Sequence, residues 1–205
     1  MEFTLADEMF LLGTTPQGRP ALRDLPYLVT GAAMAELAAA GRIDAPRRAL
    51  EVLDPCPVGE DVLDALLARL NAARRPRHPW RWIYDESRGV LHAERERLAT
   101  AGVLGTDHDV VAGFLPRTRH PVVPGAREPI VETVRACVIG SVEPDERTRV
   151  LLGLLSVAYQ ARRTARELFP ELQAGALRAR LIDLAEPTWV IDATANAIRL
   201  AGARR

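Results

Sequence analysis

The sequence predicts a mainly α-helical protein, a single-domain helical bundle over residues 1–205 that carries short β-hairpins. Three observations predict it. Apolar residues recur at helical spacing in both halves of the chain; glycines stop two of the helical runs just before strand-like pairs; and no linker-like stretch divides the sequence. At 205 residues the chain is long enough to bury a full core without a metal or disulfide staple.

Thr4 to Leu12 reads as a short helix: Thr4 with Asp7 resembles a capping box, and Leu5, Met9 and Leu12 share a face. A second helix runs from about Leu25 to Ala40 and stops at Gly41. Gly59 to Ala73 gives a third, striped by Val62, Leu63, Leu66, Leu67 and Leu70, and Leu91 to Ala101 a fourth, ended by Gly102. Each glycine stop precedes a hairpin pattern, with strands at Ala49 to Leu53 and within Asp109 to Leu115. Helix–hairpin units occur in winged-helix domains. The two helices that would enter a DNA groove, however, are GAAMAELAAAG, which has no basic side chain, and HAERERLATAG, whose Glu94 and Glu96 repel phosphate. From Glu128 onward the pattern is helical. Pro129 suits a first turn followed by Ile130, Val131, Val134 and Val138; Asp145 to Arg163 carries a seam of Val150, Leu151, Leu154, Leu155 and Ala158; and Ala174 to Leu184 and Thr188 to Leu200 complete the bundle.

All 27 basic residues are arginine and they balance 27 acidic ones, so the formal net charge is zero. A neutral chain lacks the long-range attraction of a nucleic-acid coat, and any anion site has to come from local patterning. The two cysteines, Cys56 and Cys137, are too far apart for a zinc signature and read as free thiols of a reducing compartment. The acidic start MEFTLADEMF is unlike a signal peptide, and no apolar run approaches the ~18 residues of a membrane span, so a cytoplasmic protein is expected. There is no GxSxG elbow, P-loop, HExxH or paired Cys-x-x-Cys, and the Asp107-His108-Asp109 triplet reads as polar residues at a hairpin tip. No reaction, cofactor or metal is indicated.

The densest patterning is RRPRHPWRWIYDESR, Arg74 to Arg88, in which arginines crowd Trp80 and Trp82 before an acid appears at Asp85. Guanidinium groups pair phosphate bidentately and tryptophan settles at polar–apolar boundaries, which suits an anionic phospholipid headgroup. The plainer reading is a proline-punctuated loop whose tryptophans cap a core and whose arginines are solvated.

Together, ADEMFLLG, AELAAAGRI, Trp82-Ile83, RERLATAGVL, FLPRTRHPV (Phe114 to Val122) and RTRVLLGLLSVAY resemble, in order and spacing, the bacterial branch of the Golgi phosphoprotein 3-like family, from about Leu5 to Leu200. The resemblance implies a mostly helical domain that acts as a peripheral-membrane adaptor. Eukaryotic members bind phosphatidylinositol 4-phosphate in a shallow pocket of one tryptophan and several arginines, and they contact the tails of Golgi enzymes. This sequence departs from that pocket. The family's tryptophan falls near Ala21 or Leu22 and its second-helix arginine near Thr30; of the two later arginines one aligns with Arg88 and the other with Leu91, one turn before Arg95. Arg23, Trp80, Arg81, Arg88 and Arg95, with Trp82, are therefore the candidate headgroup rim. The family's oligomer hairpin corresponds to about Arg42 to Leu53, with Arg47 and Arg48 at its turn, which implies a protein partner or homo-oligomer. Two other classes stay open: a small-molecule-binding or catalytic protein on the same helical scaffold, and a winged-helix-like nucleic-acid binder, disfavoured by the neutral charge.

Overall fold

A computed structural model describes residues 2–111, 115–158, 168–169 and 172–203. The elements in chain order are α1 (Leu5–Leu12), α2 (Leu25–Ala39), the hairpin β1 (Ile43–Asp44) and β2 (Glu51–Val52), α3 (Asp61–Asn71), α4 (Pro79–Thr100), the hairpin β3 (Asp107–Val111) and β4 (Leu115–Arg119), α5 (Glu128–Ile139), α6 (Glu146–Ser156), α7 (Ala174–Leu184) and α8 (Trp189–Ala203). The fold is mainly α, as the helical periodicity predicts, and both hairpins are antiparallel two-stranded ladders.

The core forms around α2. Its sequence LPYLVTGAAMAELAA is apolar on every side, and such a helix is stable only when enclosed. It packs against α1, α4, α6 and α8, and Leu28, Val29, Ala32, Ala33, Met34 and Leu37 have no exposed surface. Thr30 is equally buried and satisfies its hydroxyl by donating to the Pro26 carbonyl at 2.9 Å. An enclosed α2 offers no face to a DNA groove. Close approach is made possible by Gly31: a Cβ there would lie 2.4 Å from Thr194 Oγ1 on α8 and 3.1 Å from Leu154 Cδ2 on α6. Gly153 of α6 repeats the device, since its Cβ would lie 2.2 Å from Ile191 Cδ1 on α8.

Two ionic clusters tie the N-terminus into this core. Thr4 caps α1 with the expected box, its backbone N–H donating to Asp7 Oδ2 at 2.8 Å while its hydroxyl accepts from the Asp7 N–H at 3.2 Å. Asp7 is wholly buried and also accepts from Arg97 of α4, whose Nη2 donates in addition to Glu94 Oε1 at 3.0 Å. One guanidinium thus serves two buried carboxylates. Burial, with the charge of Glu60 adding to it, pushes the Glu94 carboxyl up to about 7. The second cluster centres on Arg147 of α6, which donates to Glu8 and Glu36 at 3.2 Å each and to the Phe3 carbonyl at 2.6 Å, while Glu36 accepts from the Leu5 N–H at 2.6 Å.

The structure corrects several boundaries. The fourth helix begins at Pro79 rather than Leu91, because His78 provides an extended N-cap and Pro79 fits the first helical position, where its missing N–H costs nothing. The Asp107–Asp109 triplet lies at the foot of the second hairpin rather than its tip: Asp107 faces Arg119 and the strands pair out to Val111 and Leu115. The two expected glycine stops hold, Gly41 and Gly102 having φ of +68° and +72°. Residues 159–163 of the predicted sixth helix, Phe114, and Tyr159 of the family-like segment fall outside the described residues.

Gly31→Ala should destabilise the protein by about 1–3 kcal/mol in urea unfolding, because Thr194 is β-branched, bonded to the Val190 carbonyl at 2.8 Å, and has no room to yield. Glu94 gives a pH signature. Below its ordinary value of 4.5 both states hold the proton; as the pH rises towards 7 the unfolded chain releases it first, so this group's contribution to stability is lost across that interval. Glu94→Gln should therefore gain in Tm relative to the wild-type chain as pH rises from 4.5 to 7, and a constant Tm difference would refute the shift.

Candidate functional site

Helix α4 sets out most of the sequence-predicted site. Its buried face consists of Trp82, Ile83, Ser87, Val90, Glu94 and Leu98. With that face fixed, Arg81, Arg88 and Arg95, spaced every seventh residue, fall in one strip along its flank, about 10 Å apart along the axis. Arg81 and Arg88 are exposed and Arg95 is half-buried. Asp85 forms ion pairs with Arg81 at 3.7 Å and with Arg77 at 3.5 Å, long contacts on half-exposed groups that hold little energy. Among the described residues, Arg88 and Arg95 have no ion-pair partner.

The aromatic residues divide. Trp80 is half-buried against the core edge and stacks with His78, their ring centroids 6.4 Å apart and their planes 15° apart. Trp82 does not belong to the rim. Two residues further along a helix it points to the opposite side, is only 6% exposed, sits in the core cluster, and carries the Arg77 guanidinium 5.1 Å above its ring. The plainer sequence reading is therefore right for Trp82, although the segment is a loop only as far as His78 and a helix from Pro79 onward. Arg23 is exposed just before α2, and four residues later Tyr27 stacks on Tyr84 of α4 with centroids 6.0 Å apart. Tyr84 itself lies one turn from Trp80 and from Arg88 on α4.

At the positions where the family pocket has its tryptophan and second-helix arginine the chain is inaccessible: Ala21 is 5% exposed, Leu22 1% and Thr30 has no exposed surface. Those positions contribute packing and no headgroup contact. Leu91 is half-buried against the core. Arg47 and Arg48 are exposed in the turn between β1 and β2, as expected of that hairpin, and Arg48 has a φ of +62°.

A feature the sequence reading missed lies at the start of α4. An open cavity of about 790 Å³ separates the β1–β2 turn, the first turn of α4 and the outward face of α8, lined by Arg48, His78, Trp80, Trp189, Asn196 and Arg199 among others. The signal existed, since Trp189, Asp192, Asn196 and Arg199 follow helical spacing opposite the apolar face of α8. Trp80 alone joins the α4 flank to this cavity.

Among the described residues no group of histidine, cysteine and carboxylate side chains could hold a metal ion, and no helix is long and apolar enough to cross a membrane. Comparison with known families matches the Golgi phosphoprotein 3 (GPP34) family over residues 5–201. Comparison with curated proteins finds no match.

The two neighbouring tryptophans should respond differently to truncation. Trp82→Ala should cost about 3–5 kcal/mol in chemical denaturation, as expected for a core aromatic. Trp80→Ala should cost clearly less and leave the far-UV circular dichroism unchanged.

Proposed function

Given that the chain belongs to the Golgi phosphoprotein 3 (GPP34) family, we propose that it is a peripheral-membrane, phospholipid-binding adaptor that docks anionic headgroups on the flank of α4. Phosphatidylinositol 4-phosphate is the lipid to which the resemblance points. The observation that carries the reading is the strip Arg81, Arg88 and Arg95, in which the last two have no carboxylate partner among the described residues. On a neutral protein, unpaired guanidinium groups in a row supply a local positive field, and each contributes roughly 1 kcal/mol near an anionic membrane. Arg23, exposed just before α2, is a further candidate for headgroup contact. Trp80, half-buried at its end, supplies a ring suited to the headgroup boundary.

The headgroup site so formed differs from the family's pocket in composition. Where the family uses one tryptophan and an arginine of the second helix, this chain buries Ala21, Leu22 and Thr30 and offers arginines of α4 instead. Bidentate guanidinium–phosphate pairing depends on charge and fork geometry and not on a deep cavity, so a shallow flank suffices.

Sedimentation with phosphatidylcholine vesicles doped with phosphatidylinositol 4-phosphate tests the reading. The double variant Arg81→Glu/Arg88→Glu should lose at least about 30-fold in vesicle affinity from the removed attraction alone, before repulsion is counted. Its Tm should stay close to that of the parent, because exposed charge changes usually stay within about ±0.5 kcal/mol. Binding should also weaken strongly between ~50 mM and ~500 mM salt as the Debye length contracts. Normal binding by the double variant would overturn the α4 site, and salt-insensitive binding would point to an inserted apolar segment instead.

A further inference from the structure

The cavity between the β1–β2 turn, α4 and α8 is built from residues that the α4 arginine strip, Trp80 apart, does not use. Trp80 and Trp189 give it flat apolar surface, and His78 lies stacked against Trp80. Arg48 and Arg199 are exposed and, among the described residues, have no ion-pair partner. Asn196 adds an amide that both donates and accepts. The one carboxylate among the described lining residues, Asp192, precedes Arg199 by two helical turns, about 10 Å along α8, and pairs with neither arginine. Arg48 is the sole described non-glycine residue with positive φ, at +62°, a conformation that glycine adopts freely. Residues held in sparsely populated backbone regions cluster at ligand sites. The cavity, at about 790 Å³, also has the volume of a small-molecule site.

We propose that this cavity binds an organic phosphate that carries a planar or apolar body. Arg48 and Arg199 take the phosphate oxygens, while the indoles of Trp80 and Trp189 flank the body. Arg48 and Arg199 outweigh Asp192 by one charge, so the lining favours an anion. Two sources present that chemistry, a soluble metabolite phosphate and the headgroup of a membrane lipid. The site shares Trp80 with the lipid-docking strip on α4 but none of that strip's arginines.

The test is a titration of the full chain with 1-naphthyl phosphate, read by quenching of Trp80 and Trp189 fluorescence against the constant background of core-buried Trp82. Saturable quenching is expected, with Arg199→Gln and Arg48→Gly each weakening it tenfold or more. Arg48→Gly should at the same time raise Tm, because it relieves the positive φ, so that lost binding is not a folding defect. Arg81→Glu/Arg88→Glu should leave the titration unchanged, and 1-naphthol, without the phosphate, should bind at least tenfold more weakly. If Arg199→Gln also weakens binding to the phosphatidylinositol 4-phosphate vesicles, the occupant is a lipid headgroup; if vesicle binding is untouched, it is a soluble phosphate. A wild-type chain that binds 1-naphthyl phosphate but no vesicles would retain this site and reject the α4 reading. No saturation into the millimolar range, equal binding of 1-naphthol, or wild-type affinity in both arginine variants would overturn the proposal.

Discussion

The close approach of α8 to α2 and α6 is the contact on which the remaining structure depends. It is made through glycine: Gly31 and Gly153 leave room for Thr194 and Ile191 where any side chain would collide. With α8 pressed into that seam, the enclosure of α2 is nearly complete, and its apolar surface becomes an asset rather than an aggregation risk. The same contact fixes the rotation of α8 about its own axis. Val190, Ile191, Thr194, Ala197 and Ile198 turn inward, so Trp189, Asn196 and Arg199 are held outward against the first turn of α4.

Rotation of α4 is fixed in a comparable way, but by charge as well as packing. Arg97 is drawn inward to Asp7 and holds Glu94 beside it, while Ile83, Val90 and Leu98 fill the core. A buried triad of this kind is weak evidence for net stability, because desolvation consumes much of the attraction. Its effect is on geometry: a guanidinium shared by two carboxylates accepts few arrangements. The row formed by Arg81, Arg88 and Arg95 is the outward consequence of that inward constraint.

Most of the scaffold could be read from the sequence, because its signals are local. The Thr4–Asp7 box, the glycine stops at 41 and 102, Pro129 in a first turn and the apolar stripe of Val62 to Leu70 each act within a turn or two of chain, and each appears in the structure where expected. The start of α4 is masked in the sequence because Pro76 and Pro79 look like loop residues, although Pro79 fits an N-terminal turn. Once that segment is read as a helix, the separation of Trp80 from Trp82 follows, since residues two apart lie about 200° apart on a helix. The cavity could not be read in this way. Trp80 and Trp189 are half the chain apart, and only the packing of α8 brings them together. Glu94 is hidden for the opposite reason: in HAERERLATAG it looks like one member of a solvated charge run, whereas it is 1% exposed and paired with the Arg97 guanidinium that also serves Asp7.

The Arg147 cluster has a consequence for the order in which the chain acquires its structure during synthesis. Its bonds to Phe3, Glu8 and Glu36 span 144, 139 and 111 residues, so the groups that anchor the N-terminus emerge from the ribosome long after the groups they anchor. At translation rates of about 5–20 residues per second the delay is on the order of ten seconds. Over that interval α1 and α2 exist without their clamp, and α2 is the most apolar helix to be left waiting. The nascent N-terminal half therefore presents a surface of the kind that chaperones recognise until α6 supplies the clamp and α8 completes the enclosure of α2.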